Sequence, residues 1–160
     1  MTETTLDLAT VNFVTSDTHF GHARIIELCN RPFGDVDEMN EELIRRWNHV
    51  VGADDTVLHL GDLALGEREH SIGLTAALNG RKLVVPGNHD LFWSHYRASA
   101  KYKALNAELR PVDMGLPLVH GHTHDTDHGP RERTFHVGID AHDFTPVPMS
   151  TISAWLTRLG

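Results

Sequence analysis

Cysteine is nearly absent from this sequence: Cys29 is the only one in 160 residues. No internal disulfide can form, so the core must close by burial alone, and a reducing compartment is the natural setting. Long apolar runs are missing too. No stretch approaches the ~18 consecutive apolar residues of a membrane span. Residues 1–9 are acidic and polar, without the basic-then-apolar order of a secretory leader. The expectation is a cytoplasmic protein with no membrane association. Positive charge is also scarce: 14 Lys and Arg face 22 Asp and Glu, for a formal net charge of −8. That balance excludes long duplex nucleic acid as an expected partner, because phosphate backbones are matched by Lys and Arg. No repeat, linker or low-complexity segment interrupts the chain, and its length suits a single domain over residues 1–160.

Histidine, by contrast, is abundant, with 13 residues against 14 Lys and Arg together. It is the commonest protein ligand of transition metals, so its placement decides what the excess means. Val11 to Ser16 is a short β-rich run ending in Asp17-Thr18-His19-Phe20-Gly21-His22. Residues 23–30 predict a short helix, broken at Arg31-Pro32-Phe33-Gly34. Val36, Met39, Leu43, Trp47 and Val50 recur at steps of three and four, one apolar stripe of a helix with acids at its start. Thr56 to Leu60 predicts a second strand, ending at Gly61-Asp62, and a helix over 67–79 follows, closed by Gly80. Lys82 to Val85 predicts a third strand, running into Pro86-Gly87-Asn88-His89-Asp90, then a helix from Leu91 to about Ala107. A fourth strand over 116–119 runs into His120-Gly121-His122-Thr123-His124, and a fifth covers 134–139. Ser150 is expected to cap a last helix, with Ile152, Trp155, Leu156 and Leu159 facing the core.

Four strands thus end in bursts of Asp, Asn, His and Gly, and ligands gather beyond the carboxyl ends of strands in layered α/β proteins. Asp17 and His19 are two residues apart, as are His122 and His124, so each pair points to one side of an extended chain. Asp62 and Asn88 follow glycines, which let the backbone approach closely. Carboxylate, imidazole and amide carbonyl without thiolate suit Mn²⁺, Fe or Zn²⁺ better than a structural zinc site. A carboxylate such as Asp62 has two oxygens and can bridge two ions. Two ions roughly 3.5–4 Å apart are the usual device for phosphoester hydrolysis, polarising the phosphoryl oxygens and generating hydroxide from a bound water. His89 is placed to protonate the leaving oxygen, with Asp90 to orient it. Each motif alone is common; four of them at successive strand ends point to one shared metal site.

As a set, these motifs resemble those of the calcineurin-like metallophosphoesterases. Thr15-Ser16-Asp17-Thr18-His19-Phe20-Gly21-His22, Leu60-Gly61-Asp62 and Val85-Pro86-Gly87-Asn88-His89-Asp90, with Arg31-Pro32-Phe33 and the Trp47 helix, are similar to a branch of small bacterial and phage proteins. The resemblance runs from about Phe13 to about Pro146. It implies an α/β fold: a two-sheet β-sandwich flanked by helices, with a dinuclear site at one edge. It implies that Asp17, His19 and His124 hold the first metal, Asn88 and His122 the second, that Asp62 bridges them, and that His89 is the catalytic histidine. The implied cofactors are two divalent ions, Mn²⁺ favoured over Fe or Zn²⁺.

The chain departs from the family in one interval. Members carry another metal-binding histidine, and extra strands, between the Gly-Asn-His-Asp and Gly-His-x-His motifs. Here the interval Leu91 to His120 is short and reads mostly as helix, with only His95 inside it. A truncated second sheet is therefore expected, and His95 is a candidate for the missing ligand, though a helix-surface position is the better reading for it. Among the rest, His22 is a candidate for substrate phosphate, and His59 a hydrogen-bonded packing residue. His49, His70, His128, His136 and His142 are read as surface or structural. Cys29 is read as a small buried hydrophobe. Arg24, Arg31, Arg131 and Arg133 have the chemistry of phosphate clamps, but solvated positions are expected for them. The expected function is hydrolysis of a small or nucleotide-like phosphomonoester or phosphodiester. The competing function is a metal-binding scaffold, or weakly active remnant, with an impaired second metal site.

Overall fold

The structure is a computed structural model that describes residues 7–87, 89–90, 115–124, 126–127 and 130–160. Three parallel strands, β1 (Phe13–Thr15), β2 (Thr56–His59) and β3 (Arg81–Val84), form the larger sheet in the order β3-β2-β1. A two-residue strand late in the chain, β6 (Val147–Pro148), joins β1 antiparallel and completes four strands. Strands β4 (Leu118–His120) and β5 (Thr134–His136) pair parallel as a second sheet. The second sheet has two strands among the described residues. No helix among the described residues is long and apolar enough to cross a membrane.

Alternation along the strands separates two cores. Phe13, Val57 and Val84 face a cluster built with helices α1 (Arg24–Leu28), α2 (Val36–Val50) and α3 (Arg68–Leu74). Val14, Leu58 and Leu83 face the other cluster, with Val119 and Phe135 of the second sheet, Val137 just after it, and Ile152 and Trp155 of α4 (Met149–Arg158). In α2, Asp35 caps the first turn by accepting from the Glu38 N–H at 2.8 Å, and Met39, Leu43 and Trp47 are buried. Trp47 also donates its indole N–H to the Asn79 carbonyl at 3.1 Å, fixing the helix to the loop before β3.

Several boundaries differ from expectation. Val50 belongs to the apolar stripe by spacing but stands exposed at the last turn of α2. The helix expected over 67–79 ends at Leu74 and tightens into a 3₁₀ turn, Thr75–Ala77. Gly73 and Thr75 weaken it there, and the Thr75 hydroxyl donates to the Ile72 carbonyl at 2.7 Å. Strand β4 starts two residues late, leaving Leu116 exposed, and β5 ends at His136, where the chain turns toward β1. Ser150 does not cap α4: the helix begins at Met149, whose N–H is taken by the Asn12 carbonyl at 2.7 Å, and Leu156 faces outward. Cys29 is half-buried against the first core. The helix expected from Leu91 to Ala107 lies outside the described residues.

Candidate metal centre

Beyond β1 and β2 the two chains run on side by side. The Asp17 N–H donates to the Gly61 carbonyl, the His19 N–H to the Asp62 carbonyl and the Phe20 N–H to the Leu63 carbonyl, each at 3.0 Å. The first and second motifs are thereby held together. The Ile139 N–H donates to the Ser16 carbonyl at 3.2 Å, and the His122 N–H reaches the Asp17 carboxylate at 2.8 Å. The fourth motif is drawn onto the same rim. Asp90 explains part of the third: its carboxylate accepts from the Asp62 N–H (2.7 Å), the Leu63 N–H (2.8 Å) and the Gly87 N–H (2.7 Å). Both oxygens serve backbone amides, so Asp90 builds the Gly61-Asp62 turn instead of orienting His89.

The ligand pairs do not converge by strand pleating. Asp17, His19, Asp62, His122 and His124 have φ of 61°, 54°, 56°, 74° and 50°, five of the nine non-glycine residues with positive φ among those described. Left-handed backbone costs a non-glycine residue of order 1–3 kcal/mol and clusters at functional sites. The expectation of extended Asp-x-His and His-x-His segments is thus corrected. The strands have ended, and the turning backbone brings the side chains inward.

Asp17, His19 and His124 each present a ligand atom within 4.8 Å of the others. Asp17 and His19 are buried, and the His19 Nε2 has no hydrogen-bond partner. A buried imidazole nitrogen left bare is costly unless something binds it, and a divalent ion fits that role. The His19 Nδ1 lies 3.2 Å from the His22 Nδ1. If His19 donates there, its Nε2 carries the lone pair an ion needs. Burial, reinforced by the Arg31 charge, lowers the His19 pKa to about 2 and keeps the ring neutral, as a metal ligand must be. Burial likewise raises the Asp62 carboxyl. One Asp62 oxygen accepts from the His89 N–H at 2.8 Å; the other stands 4.0 Å from both the His19 Nε2 and the His122 Nδ1. Ligand atoms about 2.0–2.2 Å from one ion stand up to roughly 4 Å apart. That oxygen is therefore within ligand spacing of either histidine.

Residues 13–145 match the calcineurin-like phosphoesterases. The chain belongs to that family. An uncharacterized protein, MJ1445, of Methanocaldococcus jannaschii is 34% identical over 155 residues, covering 88% of each chain. The gene 66 protein of Mycobacterium phage L5 is 30% identical over 79% of this chain and 85% of its own, and that of phage D29 is 31% identical over 83% and 90%. In fold, the chain is similar to a protein of unknown function, AQ665, from Aquifex aeolicus, with a TM-score of 0.58 at 21% identity over 89% of this chain and 97% of that one. The mixed α/β architecture with two sheets is thus a phosphoesterase fold, and the family's chemistry is metal-dependent hydrolysis of phosphate esters.

The His89 ring lies 5.4 Å from that of His19 and 6.3 Å from that of His22, so it stands over the same rim. The His122 side chain is largely exposed, and that of His124 is mostly covered. Asn88, expected at the second metal, lies outside the described residues, as do His95 and His128. His120 turns away from the motif that follows it: its Nδ1 is 3.1 Å from the Gly121 carbonyl and its ring 5.2 Å from that of His136. His59 packs as expected, fully buried, with its Nε2 at 3.0 Å from the Thr18 hydroxyl.

One residue at the site differs from its expected place, and another, Asp140, was not foreseen from the sequence. Arg31, expected on a solvated surface, is 4% exposed and pairs with Asp140 at 2.8 Å. Asp140 in turn meets the His124 Nδ1 at 2.8 Å. The signal for Asp140 was present: Gly138-Ile139-Asp140 follows β5 as Gly61-Asp62 follows β2.

Proposed function

We propose that the chain is a metal-dependent phosphoesterase with a dinuclear centre, in which Asp17, His19 and His124 take the first ion. His122 and Asn88 take the second, Asp62 stands between, and His89 is the general acid. The observation that carries the reading is the buried, partnerless His19 Nε2 beside Asp17 and His124, in a family of phosphoesterases. Bound ions would supply Lewis-acid polarisation of the phosphoryl group and a lowered pKa for a coordinated water. His19, held neutral by burial, keeps its lone pair at working pH. Asp62 anchors the His89 backbone through its N–H, which sets the imidazole over the rim where it can give its proton to the departing oxygen.

A small leaving group suits the surroundings. A cavity of about 120 Å³ opens beside His89, walled by Ala64, Leu65, Ser71 and Ile72. Together with the −8 net charge, it favours a compact phosphorylated or nucleotide-like substrate in the cytoplasm over a long duplex, and Mn²⁺ is the favoured ion.

The test is elemental analysis of purified protein before and after Mn²⁺ reconstitution, with an aryl-phosphate assay on the same samples. Two ions per chain, with turnover that His89→Ala lowers by about 10²–10⁴-fold and Asp62→Ala abolishes, is the expected result. One ion and no turnover with any divalent metal would favour the scaffold reading.

A further inference from the structure

Arg31 leads the Arg31-Pro32-Phe33 break, which the proposed chemistry leaves without a task. Its guanidinium has five N–H donors, and all five directions are used. The Nε donates to the Asp140 Oδ1 at 2.8 Å and NH2 to the Asp140 Oδ2 at 3.0 Å. NH2 also donates to the Asp17 carbonyl at 2.7 Å, and NH1 to the Thr18 carbonyl at 3.0 Å and toward the Met39 sulfur at 3.6 Å. The arginine is too deep for a substrate phosphate: the Arg31 side chain is 0% exposed and that of Asp140 4%. Its carbonyl partners belong to the left-handed turn that carries Asp17 and His19. Its carboxylate partner belongs to the 3₁₀ turn after β5 (Ile139–Ala141), and there Asp140 Oδ2 meets the His124 Nδ1 at 2.8 Å.

A carboxylate accepts but cannot donate when ionised, and the two Arg31 contacts keep Asp140 ionised. The proton between Asp140 and His124 therefore sits on the imidazole Nδ1, and in the neutral ring Nε2 is the nitrogen left with a lone pair. We propose that Arg31 and Asp140 form a buried clamp that presets the first metal position, fixing His124 as its Nδ1–H tautomer and holding the Asp17–His19 turn against it. Both are positioning residues that touch neither ion nor substrate. The inference rests on the proposed assignment of Asp17, His19 and His124 to the first ion. An outer partner on a ligating imidazole commonly governs metal affinity by 10–100-fold.

Two measurements test the clamp. In metal-free, ¹⁵N-labelled protein at mildly alkaline pH, the ring ¹⁵N shifts of His124, assigned with His124→Gln, report the tautomer without activity or metal. The expected result is a pure Nδ1–H form in the wild type and a mixed or Nε2–H form in Asp140→Ala. An Nε2–H wild-type ring would overturn the proposal, and this reading needs no variant of Asp140 or Arg31 to fold. Mn²⁺ titration by calorimetry then compares wild type with Asp140→Asn and Arg31→Lys, each first confirmed as folded by its amide spectrum. First-ion affinity is expected to fall about 10–100-fold in both. Wild-type binding with unchanged affinity in the variants overturns the clamp alone, whereas absence of binding to the wild type overturns the metal assignment as well.

Discussion

Gly61 and Gly87 meet backbone to backbone: a Cβ on Gly61 would lie 2.6 Å from the Gly87 Cα, and one on Gly87 would lie 2.5 Å from the Asp62 nitrogen. The contact brings the second and third motifs within reach of one carboxylate, Asp90, which gathers the amides of both. Gly61 also has φ of 106°, which L side chains rarely adopt. Gly61→Ala is expected to cost at least about 1–3 kcal/mol in strain, with the clash in addition, and to weaken Mn²⁺ binding. Gly73 is the contrasting case, in α3 with open space where its Cβ would be. Gly73→Ala should stabilise by about 0.4–1 kcal/mol. Urea denaturation of both variants checks the pair; similar midpoints would refute the close-approach account.

Acid should unfold the metal-free protein through its buried imidazoles. Burial lowers the His59 pKa from 6.5 to about 4 and that of His19 to about 2. Between about pH 6.5 and 4 the unfolded chain binds protons that the folded His59 refuses, so the His59 contribution to stability is full above 6.5 and is lost as pH falls toward 4. Fully buried His59 alone accounts for about 3 kcal/mol across that window. His124 acts in the opposite direction. Its hydrogen bond to Asp140 raises its pKa, a contribution present below 6.5 and lost as pH rises through the folded value. His59→Gln, which keeps a donor for the Thr18 hydroxyl, should flatten the decline. Melting temperature against pH for the two proteins decides it; parallel curves would remove His59 from the explanation.

Ions that bind only the folded state must raise its stability by mass action, by about 2.7 kcal/mol at a hundred times Kd. Saturating Mn²⁺ should therefore raise the melting temperature of the wild type, and chelator should reverse the shift. Asp17→Asn keeps the shape but removes a charge from the Asp17, His19 and His124 trio, and should lose most of the shift. A Mn²⁺ shift that survives in Asp17→Asn would place the ion elsewhere.

Trp47 shows how far the linear pattern reaches. Its recurrence with Met39 and Leu43 predicts the buried face of α2, and all three are buried. Val50 shows the limit: it falls on the stripe by spacing but stands exposed at the last turn, while Val51 beside it takes the buried place. At the rim, the order of the motifs pointed to one site, because parallel strands must end at one edge. The route by which the side chains converge was not legible. The i, i+2 rule assumes pleated backbone, whereas Asp17, His19, His122 and His124 all lie in left-handed turns.

Residue identity and spacing by themselves determined the family, the strand-then-motif order and the ligand types of the proposed centre, since donor chemistry is a property of side chains. Only the tertiary structure decided which groups stand behind those ligands. Arg31 and Asp140 lie 109 positions apart and read alone as a surface cation and a turn carboxylate. They become one buried pair because the loop after α1 and the turn after β5 close on the same left-handed segment. A charge taken out of water persists only where an opposite charge and carbonyl acceptors are already in place.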